Sequence, residues 1–200
     1  PQESDTTRDC WTASFGDSYD DDHRCIVAGY DNGDVKLFDL RTSSVRWETN
    51  VGNGVVCCEF DRKDIEMNKL IVTTLESKFK LFDMRTQHPE EGFASLTEKA
   101  HKSTVWLARH LPQNRDLFVT AGGNGGLNLY KYTYPVARST KDTDGKPKGV
   151  MGSVELLNAR VIAQQPFVSF DWCTEKEGLA AATALDQTLR VLIVTKLSKY

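Results

Sequence analysis

The sequence predicts an all-β fold of four repeated blades, a β-propeller. Four segments share a pattern of polar turn, alternating strand and bulky apolar residue. Almost no stretch sustains a 3.6-residue apolar period, so helix content is expected to be very low. Each repeat also carries further short apolar runs of strand length, bounded by turn formers.

The four segments are YDNGDVKLFDL (30–40), LESKFKLFDM (75–84), GGNGGLNLYKY (122–132) and ALDQTLRVLIV (184–194). Their bulky residues, Phe38, Phe82, Tyr130 and Leu192, are spaced 44, 48 and 62 positions apart; the first two spacings fit one propeller blade plus loops, and the last is stretched by residues 135–150. Each follows a polar turn residue by six positions: Asn32, Glu76, Asn124 and Asp186. Asn-Gly at 32–33 and 124–125 is a strong hairpin signal, because a tight turn between twisted strands needs positive φ. Upstream of the turns lie second strands, CIVAGY, LIVTTL, LFVTAGG and LAAATAL, and before them inner strands, CWTASF, VVCCEF, VWLARHL and FVSFDW. VRWETN, FASLTEK and VELLNARVIA supply outer strands. The blades are placed at about 8–43, 44–85, 86–134 and 151–199, with outer strands shared between repeats. Residues 1–7 read as a disordered start. Residues 135–150, charged and poor in apolar residues, read as a flexible insert.

Composition narrows the function classes. The 200 residues are 40% hydrophobic and 26% charged, ordinary for a soluble domain. A net charge of −3 gives no broad phosphate-binding surface, so nucleic acid is not an expected partner. No apolar run approaches the roughly 18–20 residues of a membrane helix, and the start has no secretory h-region, so no membrane partner is expected. The chain lacks an initiator Met, which suggests a longer natural protein. Cys10, Cys25, Cys57, Cys58 and Cys173 sit in apolar runs without CxxC spacing, so all five are expected to be buried free thiols in a cytoplasmic protein.

Reaction chemistry is not expected. His23, His88, His101 and His110 are scattered without metal-ligand spacing. AGGNGGLNLY lies between two strands and reads as a hairpin, not a phosphate cradle. Asp17, Asp20, Asp21 and Asp22 lack the spacing of a calcium loop and read as a solvated turn. No catalytic residue, cofactor or metal is assigned.

Phe38–Asp39 and Phe82–Asp83 resemble the WD dipeptide with Phe for Trp, and Ala100–His101 resembles the Gly-His that opens such repeats. In WD repeats a His, a strand hydroxyl, a turn Asp and a strand Trp form a hydrogen-bonded set. The third blade offers His101, Thr120, Asn124 and Tyr130 for it, departing from the family's identities at three of the four positions or nearly so. Longer runs, among them RDCW, AGYDNGDVKLFDLR, EFDRKDIEMNKL, LFDMRTQHP, EKAHKSTVW and DQTLRVLIVTKL, resemble the Monad family of WD-repeat proteins, the axonemal dynein assembly factors. The resemblance spans about Arg8 to Lys199. It implies a seven-bladed ring, a role in cytoplasmic pre-assembly of axonemal dynein motors, and partners among the prefoldin-like and RuvB-like ATPase co-chaperone complex and dynein subunits.

The strand count points to an incomplete ring. The first three blades each have four strands, but the last ends at VLIVTKLSKY without an outer one, and polar PQESDTT is a poor substitute. An unpaired edge near Leu189–Val194 would then favour self-association. The working surface is expected on the face of the central hairpin turns, which carries Asp31, Asp34, Glu76, Lys78 and Lys102. Trp11 and Trp106 occupy the same inner-strand place, where Val56 and Val168 sit in the other blades. Packing between blades is the first expectation for both rings. Exposed, they would be anchors for a partner, with Arg109 nearby. Trp47 and Trp172 are assigned to packing. Two function classes remain: a protein-interaction scaffold acting as co-chaperone adaptor, and a ubiquitin-ligase substrate receptor or modified-peptide reader.

Overall fold

Each repeat folds into one antiparallel sheet in the computed structural model, which describes residues 7–200. The polar start at 1–7 therefore lies, except for Thr7, outside the described residues. The first blade is β1 (Cys10–Gly16), β2 (Cys25–Tyr30), β3 (Asp34–Asp39) and β4 (Ser44–Asn50). The second is β5 (Val55–Phe60), β6 (Lys69–Thr74), β7 (Lys78–His88) and β8 (Gly92–Lys99). The third runs β9 (Val105–Leu111), β10 (Asn114–Gly122) and β11 (Gly126–Thr133). A hairpin of β12 (Ser139–Lys141) and β13 (Pro147–Gly149) interrupts it before β14 (Ser153–Val161) returns as the outer strand. The fourth has three strands, β15 (Phe167–Trp172), β16 (Leu179–Ala184) and β17 (Thr188–Ile193), followed by one 3₁₀ turn at Leu197–Lys199.

Sequential strands are neighbours in every sheet, as meandering hairpins require, except that β11 pairs with β14 across the β12–β13 hairpin. Gly33 and Gly125 complete the two Asn-Gly turns at φ of 91° and 72°, where a side chain would be strained. Inner strands pack in series, β1 on β5, β5 on β9 and β9 on β15. The core therefore lies between blades. Val27, Leu37, Phe60 and Phe82 fill the first interface, and Phe79, Phe118 and Tyr130 the second. Leu117, Val119, Phe170 and Ala182 fill the third. β6, KLIVTT, is buried at all six positions because it is covered on both faces. Trp47 packs edge-on against Phe82 and Phe93 at 5.3 and 5.1 Å, and Trp172 is 5% exposed.

The two ends of the arc are open. Phe15 is 46% exposed, whereas its equivalents Phe60, His110 and Trp172, each covered by a preceding blade, are buried. Leu189, Val191 and Ile193 on β17 are about two-thirds exposed. The same geometry corrects the cysteine expectation. Cys25, Cys57 and Cys58 are buried and Cys173 half-buried, but Cys10 is exposed because no described blade precedes β1.

The insert also departs from expectation. Residues 139–149 form a hairpin docked against β7 and β8, not a free loop. Arg138 donates twice to Asp83, at 2.7 and 3.0 Å, and once to Asn68 at 2.8 Å. His88 Nε2 meets Asp142 at 2.9 Å, Lys148 pairs with Glu91 at 2.7 Å, and Lys146 pairs with Glu90. The charges that mark the segment as solvated in the sequence are matched by opposite charges on the second blade. Asp83 is only 1% exposed, so Arg138→Ala leaves a buried carboxylate short of its cation. The expected cost is about 1–3 kcal/mol, discounted for the partial exposure of Arg138, with much faster trypsin cleavage within 139–149 by mass spectrometry.

Candidate functional site

One backbone device recurs in every blade. The residue closing the second strand donates its N–H to the residue just before the inner strand. The pairs are Asp31 to Asp9 (3.0 Å), Leu75 to Gly54 (2.9 Å), Gly123 to Thr104 (2.9 Å) and Leu185 to Pro166 (3.0 Å). Two residues into each inner strand the register slips, between Cys10 and Thr12, Val55 and Cys57, Val105 and Leu107, and Phe167 and Ser169. Trp11, Val56, Trp106 and Val168 are thus the extra residues of four equivalent β-bulges. A bulge takes a side chain out of the ladder's alternation and re-aims it.

The bulges set the exposure of these side chains. Trp11 is 46%, Trp106 36% and Val168 44% exposed, and Val56 is half-buried. Packing between blades, the expectation for both Trp rings, is therefore corrected. Period-two reasoning could not see the extra residue that turns them out. Leu75 and Leu185, at 41% and 58%, extend the apolar arc from equivalent turn positions. Gly54 makes room where two of them converge: a Cβ there would lie 2.9 Å from Trp11 Cζ3 and 3.0 Å from Leu75 Cδ1. Gly123 does the same for Trp106, whose Nε1 would stand 3.3 Å from a Cβ.

The charged residues of this face divide into spent and unspent. Asp34 accepts from Asn32 at 2.8 Å and Asn50 at 2.7 Å, which holds its carboxyl below the usual range. Glu76 pairs with Lys78 at 2.9 Å. Asp186 caps its turn through Thr188 and pairs with Arg190 at 2.9 Å. Lys102 is exposed. Asp31 forms no ion pair among the described residues, and its Oδ1 is buried without a hydrogen-bond donor there. Arg109 is a strut between inner strands, donating to Glu59 at 2.9 Å and Cys57 Sγ at 3.3 Å. Glu59 also accepts from the His110 backbone at 2.6 Å and its Nδ1 at 3.1 Å. Sequence reasoning passed over Glu59, since nothing local to VVCCEF points across to the next blade.

Within the third repeat, His101 Nε2 meets Thr120 Oγ1 at 2.9 Å. Asn124 instead accepts from the Gly126 N–H, and the Tyr130 hydroxyl meets Asn128 at 3.3 Å. Asn32 similarly caps Asp34, and Asp39 caps the turn at Arg41 and Thr42. Asp83 caps Arg85 and binds Arg138, while Phe38 is half-buried and Phe82 buried. Burial pushes the His101 pKa down to about 4. Between pH 6.5 and 4 the unfolded chain takes up this proton and the folded one does not, so stability falls as pH drops through that window. The expected loss is about 3 kcal/mol, and the difference in urea-unfolding profiles between the natural protein and His101→Gln isolates it.

Among the described residues no group of three or more His, Cys, Asp or Glu could hold a metal ion. Of the acidic loop, Asp17 is buried rather than solvated and accepts from Met67 N of the second blade, while Asp20 meets His23 at 2.5 Å and Asp21 pairs with Arg24 at 2.6 Å. Among the described residues no helix is long and apolar enough to cross a membrane.

No protein-family model matches the chain. Among solved structures it resembles the computationally designed Ika8 protein, with a TM-score of 0.62 at 13% identity over 92% of this chain and 46% of that one, a likeness of fold alone. Among curated proteins it is 61% identical over 199 residues to dynein axonemal assembly factor 10 of Homo sapiens and to that of Xenopus tropicalis. It is 58% identical over 200 residues to the Chlamydomonas reinhardtii protein of the same name. All of this chain is covered in each case, and it spans 56% of each relative's length. With identity at this level from alga to human over its whole length, the chain belongs to the dynein axonemal assembly factor 10 family.

Proposed function

We propose that the chain is part of a non-catalytic interaction scaffold, a co-chaperone adaptor in cytoplasmic pre-assembly of axonemal dynein motors. The name that the relatives share supports the dynein-assembly role. The bulge-displayed arc of Trp11, Leu75 and Trp106 supports a binding role, because partly exposed Trp rings beside a polar rim are the usual anchors of protein interfaces. Partners are proposed among the prefoldin-like and RuvB-like ATPase co-chaperone complex and dynein subunits. The open faces of the first and fourth blades, together with the relatives' greater length, support a larger ring, seven blades by the resemblance.

Trp106→Ala tests the reading in the full-length protein. Since the ring is partly exposed and displaced from the ladder, the melting temperature is expected to stay within about 3 °C. Affinity for the co-chaperone complex is expected to fall about tenfold or more by calorimetry. A large drop in melting temperature with unchanged affinity would make Trp106 a core residue and remove the anchor. The second reading, a ubiquitin-ligase receptor or modified-peptide reader, would instead show affinity for a modified peptide and none for the co-chaperone complex.

A further inference from the structure

We infer that the first-blade end of this face binds a basic side chain, lysine or arginine, carried on an extended segment of a partner protein. The inference rests on reading the hairpin-turn face as the docking surface and names what one end of it recognises.

The four blades act as internal controls for one another. At the position that closes the second strand, three blades carry Leu75, Gly123 and Leu185, and only the first carries a carboxylate, Asp31. Its N–H is bound to Asp9 O, so two acidic residues stand next to the strand that displays Trp11. Neither forms an ion pair among the described residues. The other carboxylates of the face, Asp34, Glu76 and Asp186, are already held by Asn32 and Asn50, by Lys78, and by Thr188 and Arg190.

Trp11 is not open merely because no described blade precedes it. Trp106, at the same bulge in an enclosed blade, is also more than a third exposed, whereas the enclosed equivalents of Phe15 are buried. Exposure of a Trp at the bulge position therefore does not depend on a blade end being open. An indole face attracts a cation through its quadrupole, and an uncompensated carboxylate beside it adds a charge-assisted hydrogen bond. An anionic partner group would be repelled by Asp31 and Asp9, and a purely apolar one would leave both without a counter-charge. A metal ion would need further oxygen ligands, and no such cluster exists among the described residues.

The test uses the full-length protein and two sets of fluorescein-labelled random decapeptides, one with a central Arg-Xaa-Leu and the other with Glu-Xaa-Leu. Fluorescence polarisation is expected to show binding of the Arg set alone. Asp31→Asn, which preserves the turn's shape, should weaken it at least fivefold, less so at high salt. Trp11→Leu should weaken it about tenfold. Equal binding of the two sets, binding of neither, or no effect of Asp31→Asn overturns the inference. If Trp106→Ala weakens both sets while Asp31→Asn changes nothing, the face still docks peptides and only the basic-residue assignment fails. If neither variant changes binding, both readings fail.

Discussion

Lys69→Met is expected to lower the unfolding free energy by about 3 kcal/mol, read from urea denaturation at neutral pH. The Lys69 side chain is fully buried, as is that of Asp61, 3.5 Å from its Nζ. The ammonium also donates to Asp116 at 2.8 Å and the Tyr134 hydroxyl at 2.6 Å, and lies over the Tyr132 and Tyr134 rings at 5.2 and 4.6 Å. Methionine fills much of the space but supplies no charge, so Asp61 remains as a buried carboxylate. Three donors soften the loss: Asn68 Nδ2 at 2.5 Å and the backbone N–H groups of Lys69 and Arg62, each at 3.1 Å. For that reason the estimate sits at the lower end of what breaking a buried pair costs. The double variant Lys69→Met with Asp61→Asn is expected to recover part of the loss, since the stranded charge is removed with its partner. If the two single effects simply add, the pair is not coupled and this account of the second and third blades fails.

Phe118→Ala is expected to cost about 3–5 kcal/mol. Phe118 has no exposed surface and is the hub of the second interblade core. Its ring stacks on Tyr130 at 5.3 Å, meets Phe79 edge-on at 5.5 Å and lies 5.5 Å from His110. Truncation loses transfer free energy and leaves a cavity between two sheets, each held by its own backbone ladder and so unable to close on it. Phe118→Leu, which keeps most of the volume, should cost about 1.5 kcal/mol or less, so the difference between the two variants measures the cavity directly. Similar losses would mean that aromatic geometry, not volume, dominates.

Repeat periodicity, the Asn-Gly turns and the short apolar runs made the blades and their strand order legible, because turns and alternation are local properties encoded within about ten residues. Trp47 and Trp172 were read correctly as packed, since each falls on the inward phase of its strand. The missing fourth strand of the last sheet was likewise countable from the chain.

What only the tertiary structure decided has a common physical origin: each feature depends on groups distant in sequence. The bulge that turns Trp11 and Trp106 outward exists only in the register between two strands, and strict alternation gives it the opposite sign. The insert looked solvated because its charges had no local partners, yet Arg138, Lys146 and Lys148 meet Asp83, Glu90 and Glu91 across more than fifty residues. Lys69 would by type be placed at the surface, but Asp61, Asp116 and two tyrosines converge on it from the second and third blades and allow its burial. Local pattern determines which segments become strands and where they turn. Pairing between distant segments determines which side chains remain available to a partner.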